Sequence, residues 1–218
     1  MSNITTFNPN KVPSFVKKAE LSAIAKALAG STGGVSMKRI STKGGVFRLL
    51  SGGKEIASID DRHLDVVIVN AAPKVSRTFY AGQYVEGETK APDCWSADGE
   101  VPDPTARDKQ ANSCKDCPQN IQGSGVGNSR ACRFQQRIAV LLGKDLDGEV
   151  YQLTLPGKSI FGEGEHNKWP LEAYGKFIGS KGFPITSIVT EARFDTTQAT
   201  PVITFKPVRF LDKYKDYV

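Results

Sequence analysis

All four cysteines of the chain fall within residues 94–132, in the order C-x19-C-x2-C-x14-C: Cys94, Cys114, Cys117 and Cys132. The segments between them, "DGEVPDPTARDKQANS" and "PQNIQGSGVGNSRA", are polar and rich in Gly, Pro, Asn and Ser. Such segments hold too little apolar surface to build a core, so something else must order them. A C-x-x-C turn presents two thiolates to one side, and two distant cysteines can close a tetrahedron around a metal ion. This spacing points to one Zn²⁺ held by the four thiolates. An iron–sulfur cluster uses the same ligands and stays open on spacing alone. Two disulfides would need an oxidising compartment, and "MSNITTFNPNKVPSF" lacks the basic start and apolar stretch of an export signal. A thioredoxin-like redox pair would open a helix, whereas here the C-x-x-C runs into Pro118 and a loop. With four thiolates filling the shell no position stays open for a catalytic water, so the metal is expected to be structural.

The rest of the chain has enough apolar residues for a core of its own. At 218 residues it can form one substantial domain with an insertion. No run of about 18 apolar residues suggests a membrane-spanning helix. "SFVKKAELSAIAKALA", residues 14–29, has the spacing of an amphipathic helix, with Phe15, Leu21, Ile24 and Leu28 on one face. From Val35 the period shifts toward strands. "GVFRLL" and "KEIASI" around "SGG" predict a hairpin, and "LDVVIVNAA" a buried central strand. "SRTFYAGQY" precedes the cysteines, and "FQQRIAVLLG" and "GEVYQLTLP" follow as a pair. "KWPLEAYGKFIGSKG" predicts a helix that turns Leu171, Tyr174 and Phe177 or Ile178 inward and stops near Gly182. "ITSIVTEARFD" and "PVITFKPVRFL" close the series. Six or seven short strands with one helix among them fit a mainly β chain with minor α. Its expected form is an antiparallel barrel of the oligonucleotide-binding (OB) type.

Charge is unevenly placed. Residues 1–90 carry 13 Lys and Arg against 7 Asp and Glu, an excess equal to the whole chain's +6. Such an excess either marks an anionic partner, nucleic acid before an acidic protein or a membrane, or only aids solubility; charge alone leaves both open. Single strands are held by a positive groove with aromatic faces on which bases stack. The candidate contacts are Lys38, Arg39, Lys43, Arg48, Lys54 and Arg77, with Tyr80, Tyr84 and Trp95 as stacking faces. Arg130, Arg133 and Arg137 flank the last cysteine. On alternating strands one aromatic of each pair belongs to the core, and Phe47 and Phe79 are expected there. His63 and His166 have no partners in sequence. "GSGVGNS" lacks the Lys-Ser/Thr of a phosphate-binding loop, and no hydrolase or zinc-protease motif occurs. Asp60, Asp61 and Asp65 are expected to be solvated rather than to hold Mg²⁺.

A cysteine-bound insertion in an OB-type barrel, with a basic face and a helical N-terminal segment, resembles the phage single-stranded DNA-binding proteins of the T-even helix-destabilising kind. "PDCWSADGEVPD", "CKDCPQN" and "ACRFQQRIAVLL" are also similar to proteins of phage replication modules. The likeness spans about residues 35–210. Two departures stand out: the T-even type ligates zinc with three cysteines and one histidine, and it ends in an acidic tail where this chain ends "FLDKYKDYV". The resemblance implies a non-catalytic protein that coats single-stranded DNA in replication, recombination and repair, largely without sequence specificity. It implies an arm and helix over 1–34, and a binding domain over 35–218 with a zinc-binding insertion at 90–133. Its expected partners are single-stranded DNA, further copies of itself through the N-terminal helix, and phage replication proteins, in the cytoplasm of the infected bacterial host. The competing expectation is a zinc-containing adaptor of phage transcription or recombination.

Overall fold

The computed structural model describes residues 38–82, 90–146, 148–198 and 200–211, all within the second of two compact units, Met37–Val218. The helix expected at 14–29, and Tyr84, lie outside the described residues. Among the described residues, ten strands form one sheet. β1 is Lys38–Ser41, β2 Phe47–Ser51, β3 Lys54–Ile59, β4 His63–Ala71 and β5 Ser76–Phe79. β6 is Cys94–Ser96, β7 Arg133–Leu142, β8 Tyr151–Pro156, β9 Ile188–Phe194 and β10 Ile203–Phe210. A one-turn helix α1, Gly157–Ile160, and a longer helix α2, Leu171–Ser180, lie between β8 and β9. No helix among the described residues is long and apolar enough to cross a membrane.

The main path runs β10-β9-β4-β7-β8-β1-β2-β3, with β5 paired to β7 and β6 paired to β5. The chain is mainly β, and the sheet curls into a half-barrel compatible with an OB-like fold. Two features depart from the expected antiparallel barrel. β1 runs parallel to β8, and β3 and β10 end the path as edges. The edges carry residues suited to them: β3 is exposed along nearly its whole length, and Pro207 on β10 has no N–H to offer a neighbour.

The predicted hairpin is β2–β3. Gly52 and Gly53, both at positive φ (59° and 79°), form its two-residue loop, which matches the twist of the flanking strands. β4 is central, paired on both sides to β7 and β9, as its run of β-branched residues requires. The core lies on one face of the curl. Phe47, Val66, Ile138, Leu153, Leu155, Ile203 and Phe205 are at most 1% exposed there. α2 covers that face with Leu171, Tyr174 and Ile178, and Gly182 (φ 75°) follows its end. A smaller cluster, Val67, Leu141 and Val189, sits on the opposite face beneath Leu146 and Leu211.

Residues 90–132 contain only β6 and a short 3-10 turn at Pro118–Asn120 as regular structure. Buried Asp93 anchors their beginning. Its Oδ2 accepts the Ala81 N–H at 2.9 Å, and its carboxylate pairs with Arg107 and Lys90. Backbone bonds then step through the segment, from Asp103 N–H to Trp95 O (2.8 Å) and from Cys114 N–H to Glu100 O (2.8 Å).

Candidate functional site

Each cysteine is held by a different piece of this segment. Cys94 opens β6 and lies opposite Phe79 of β5. Cys114 accepts the Asn120 side-chain N–H on its carbonyl at 2.9 Å. Cys117 precedes the 3-10 turn, and its carbonyl accepts the Asn120 backbone N–H at 2.9 Å. Cys132 returns to the same turn through its N–H to Gln119 O at 2.8 Å, just before β7 starts. All four are buried and none is in a disulfide. They line one cavity of about 10 Å³ together with Arg77, Phe79, Trp95 and Ser96. The four sulfurs nevertheless do not form a group whose members all lie within 4.8 Å of one another. Burial pushes the Cys114 thiol up and the Cys132 thiol up to about 11, while the Arg77 charge pulls both the other way.

Arg77 is the charged residue of this cavity. Its guanidinium lies 4.2 Å from the Phe134 ring centre on β7. Its Nε and Nη1 are buried and find no hydrogen-bond partner among the described residues. The residues present do not make a ready shell for one ion: the four thiols are buried along one cavity, but no three of their sulfurs lie within 4.8 Å of one another, and the cavity also holds the buried charge of Arg77.

Among the described residues, the one group with ligand atoms all within 4.8 Å of one another is His63, Asp65 and Glu191. β4–β9 pairing sets Asp65 directly opposite Glu191. Glu191, however, is already matched. Arg193 Nε and Nη2 donate to its two oxygens at 2.6 and 3.2 Å, and Lys206 Nζ lies 3.3 Å away. These cations hold its carboxyl below the usual range against the effect of burial. The arrangement is first an ion-pair cluster. In sequence His63 had no partner and Glu191 drew no notice; only cross-strand register brings them together.

Strand register also sorts the basic residues. Residues directly opposite on paired strands point to the same face. Arg39 lies opposite Gln152, and Gln152 opposite Ala139; Arg48 lies opposite Ser41, and Arg137 opposite Thr154. Ile40, Leu49, Leu153 and Ile138 alternate with them into the core. Arg39, Arg48 and Arg137 therefore share the face turned away from the core. Arg133 shares it too, in a row with Thr78 and Trp95 across β7, β5 and β6. Neighbouring strands are about 4.8 Å apart, so β2, β1, β8 and β7 spread these arginines over roughly 15 Å.

The other expected contacts are dispersed. Arg77 lies opposite Phe134 and points to the other face. Lys38 pairs with Glu149 and stands 5.7 Å above the Tyr151 ring. On the shared face Arg48 is itself matched, donating to both Glu55 oxygens at 3.0 Å. Arg130 bonds Asn120 Oδ1 at 3.0 Å. Lys43 is exposed in the turn after β1, and Lys54 at the hairpin. Tyr80, just beyond β5, is 44% exposed, whereas Trp95 is half-buried against Phe79 and Cys94. Phe47 and Phe79 are both core residues. No protein-family model matches the chain, and no curated protein or solved structure matches it.

Proposed function

We propose that the protein is a non-catalytic single-stranded DNA-binding protein that coats transient single strands in replication, recombination and repair, with little sequence preference. The observation that carries this reading is the shared outer face of Arg39, Arg48, Arg133 and Arg137, with Trp95 in the same row as Arg133 and polar Ser41, Gln152 and Thr154 between. Spaced guanidinium groups match a flexible phosphate backbone, and an aromatic face gives an unpaired base a surface to stack on. One structural Zn²⁺ on Cys94, Cys114, Cys117 and Cys132 would hold the segment that supplies Trp95 and leads into Arg133. The replication setting rests on the likeness of the cysteine segments to phage replication proteins, which also makes further copies of the chain and replication proteins the natural partners.

Fluorescence anisotropy with matched single- and double-stranded DNA oligonucleotides, at two salt concentrations, tests it. Much tighter binding to the single strand, weakening steeply with salt, is expected. Equal affinity for both would remove this reading and leave a zinc-containing adaptor. Cleavage of the oligonucleotide would make the protein an enzyme.

A further inference from the structure

We propose that the cleft between the end of β4, β7, α1 and α2 is a subsite for one unpaired base, with the Phe161 ring as its stacking wall. The inference rests on the single-strand reading above. It adds a place on the other side of the sheet from the outer arginines, because Gln136 in the cleft wall lies opposite Leu155 of the core.

The chain holds this ring firmly and leaves it uncovered. α1 is one turn long and starts at Gly157, where a Cβ would stand 3.4 Å from the Phe134 Cβ, so the turn lies close on β7. Phe161 follows it, its N–H donating to Gly157 O at 3.0 Å. Its ring meets Phe134 nearly at right angles, with centroids 5.3 Å apart, and the Arg77 guanidinium in turn lies 4.2 Å from the Phe134 centroid. Phe161 nevertheless remains 41% exposed and forms a wall of two clefts, of about 620 and 540 Å³. Leaving an aromatic side chain in water forgoes the stability its burial would give. What it offers instead is a pre-positioned face, on which a base stacks at little entropic cost.

The other walls suit the same occupant. Ile160 and Leu171 are buried and apolar. Gln136 Nε2 donates to Ala72 O at 3.1 Å, and its Oε1, without a partner among the described residues, is an acceptor for a base amino group. The one carboxylate of the larger cleft, Glu172, already accepts from Lys176 Nζ at 2.8 Å. Cations flank the ring on both sides. Exposed Arg130 lies 5.9 Å from the Phe134 centroid, one ring away from Phe161, and exposed Lys158 lines the second cleft. A base against Phe161 therefore has partners for its neighbouring phosphates.

α2 keeps the space clear. Gly175 lines the larger cleft from the middle of the helix, where glycine is less stable than alanine, yet a Cβ there would meet nothing within 4 Å. Packing does not demand glycine at this position; an open cleft does. Its volume falls within the roughly 300–1,000 Å³ that takes a small molecule.

The test compares full-length wild type, Phe161→Ala and Gly175→Leu. Leucine at 175 fills the cleft with a good helix former and meets no clash, so this variant should melt no lower than wild type. On a single-stranded oligonucleotide each variant is expected to lose roughly 5–150-fold in affinity, with the slope of log affinity against log salt unchanged. Ultraviolet cross-linking of wild type to a strand carrying 5-iodouracil, with the adduct located by mass spectrometry, should mark Phe161. Wild-type affinity in both variants, or adducts confined to the outer face, would overturn the subsite while leaving single-strand binding in place. A loss in Phe161→Ala alone would make the ring a surface contact and also overturn the cleft. A wild type that binds no single strand would remove the function proposed above, and this subsite with it.

Discussion

The hydroxyl oxygens of Tyr174 and Thr190 meet at 2.7 Å within the buried core. Both residues are fully buried, so the pair pins α2 to β9 at one position along the helix. Either hydroxyl alone would be an unsatisfied polar group. Tyr174→Phe is expected to cost about 1–3 kcal/mol, and Thr190→Val a similar amount. The double variant should cost clearly less than the two together, since no orphan hydroxyl is left. Chemical denaturation of the four proteins gives the coupling, and strict additivity would refute the pin.

Glu191 predicts an acid-sensitive contribution. Its folded-state carboxyl is held below the ordinary 4.5, first by the hydrogen bond from Arg193. Stability from this cluster is therefore present above about pH 4.5 and is lost as pH falls through the lower, folded value. Arg193 and Lys206 are partly exposed, which screens the pair, so Glu191→Gln should cost only about 1 kcal/mol at pH 7. Denaturation curves between pH 3 and 7 should show the variant losing less stability on acidification than wild type. Parallel curves would mean that the cluster contributes nothing.

The outer arginines and the exposed tyrosine separate two terms of binding. Replacing Arg39, Arg48, Arg133 and Arg137 by Gln should reduce the slope of log affinity against log salt by up to about 3 on a single strand. Tyr80→Ala should weaken binding by about 1–3 kcal/mol if its face stacks on a base, with the slope nearly unchanged. A quadruple variant with wild-type salt dependence would exclude this face as the phosphate track.

Gly99 is predicted to be irreplaceable. It sits at φ 74°, and a Cβ there would lie 2.5 Å from the Val75 carbonyl oxygen and 3.5 Å from Arg77 Nε. The first contact is with backbone and cannot relax by a rotamer change. Gly99→Ala should destabilise the protein by about 1–3 kcal/mol and loosen the turn that faces the cysteine cavity. Faster hydrogen exchange over residues 94–101, with β9 and β10 unaffected, is the expected signature. Uniform exchange changes would place the strain elsewhere.

Much of the fold was legible because the apolar periods are strong. "GVFRLLSGGKEIASI" carries its own turn residues, and "LDVVIVNAA" has the unbroken run of a strand buried on both sides. β1 and β6 were missed because four and three residues cannot display a period. The parallel β1–β8 pairing was hidden for a different reason: no turn chemistry marks a contact between distant segments. For the site, the spacing implied four thiolates around one ion, whereas the four cysteines line one cavity without their sulfurs forming such a group. Charge counting found the basic half of the chain but could not tell a strand's two faces apart. Arg39 and Arg77 therefore looked equivalent, and register with Gln152 and Phe134 sends them to opposite sides.

The parallel pairing also sets a timetable. Lys38–Ile40 pair with Tyr151–Leu153, more than a hundred residues downstream. A ribosome adding about 5–20 residues per second needs roughly 6–20 s to make that partner after β1 has been made. Until then the β1–β2–β3 hairpin unit exists without the strand that joins it to the rest of the sheet, and Phe47 lacks the neighbours that bury it. The cysteine segment is synthesised entirely within this interval. Its ordering can precede closure of the half-barrel rather than follow it.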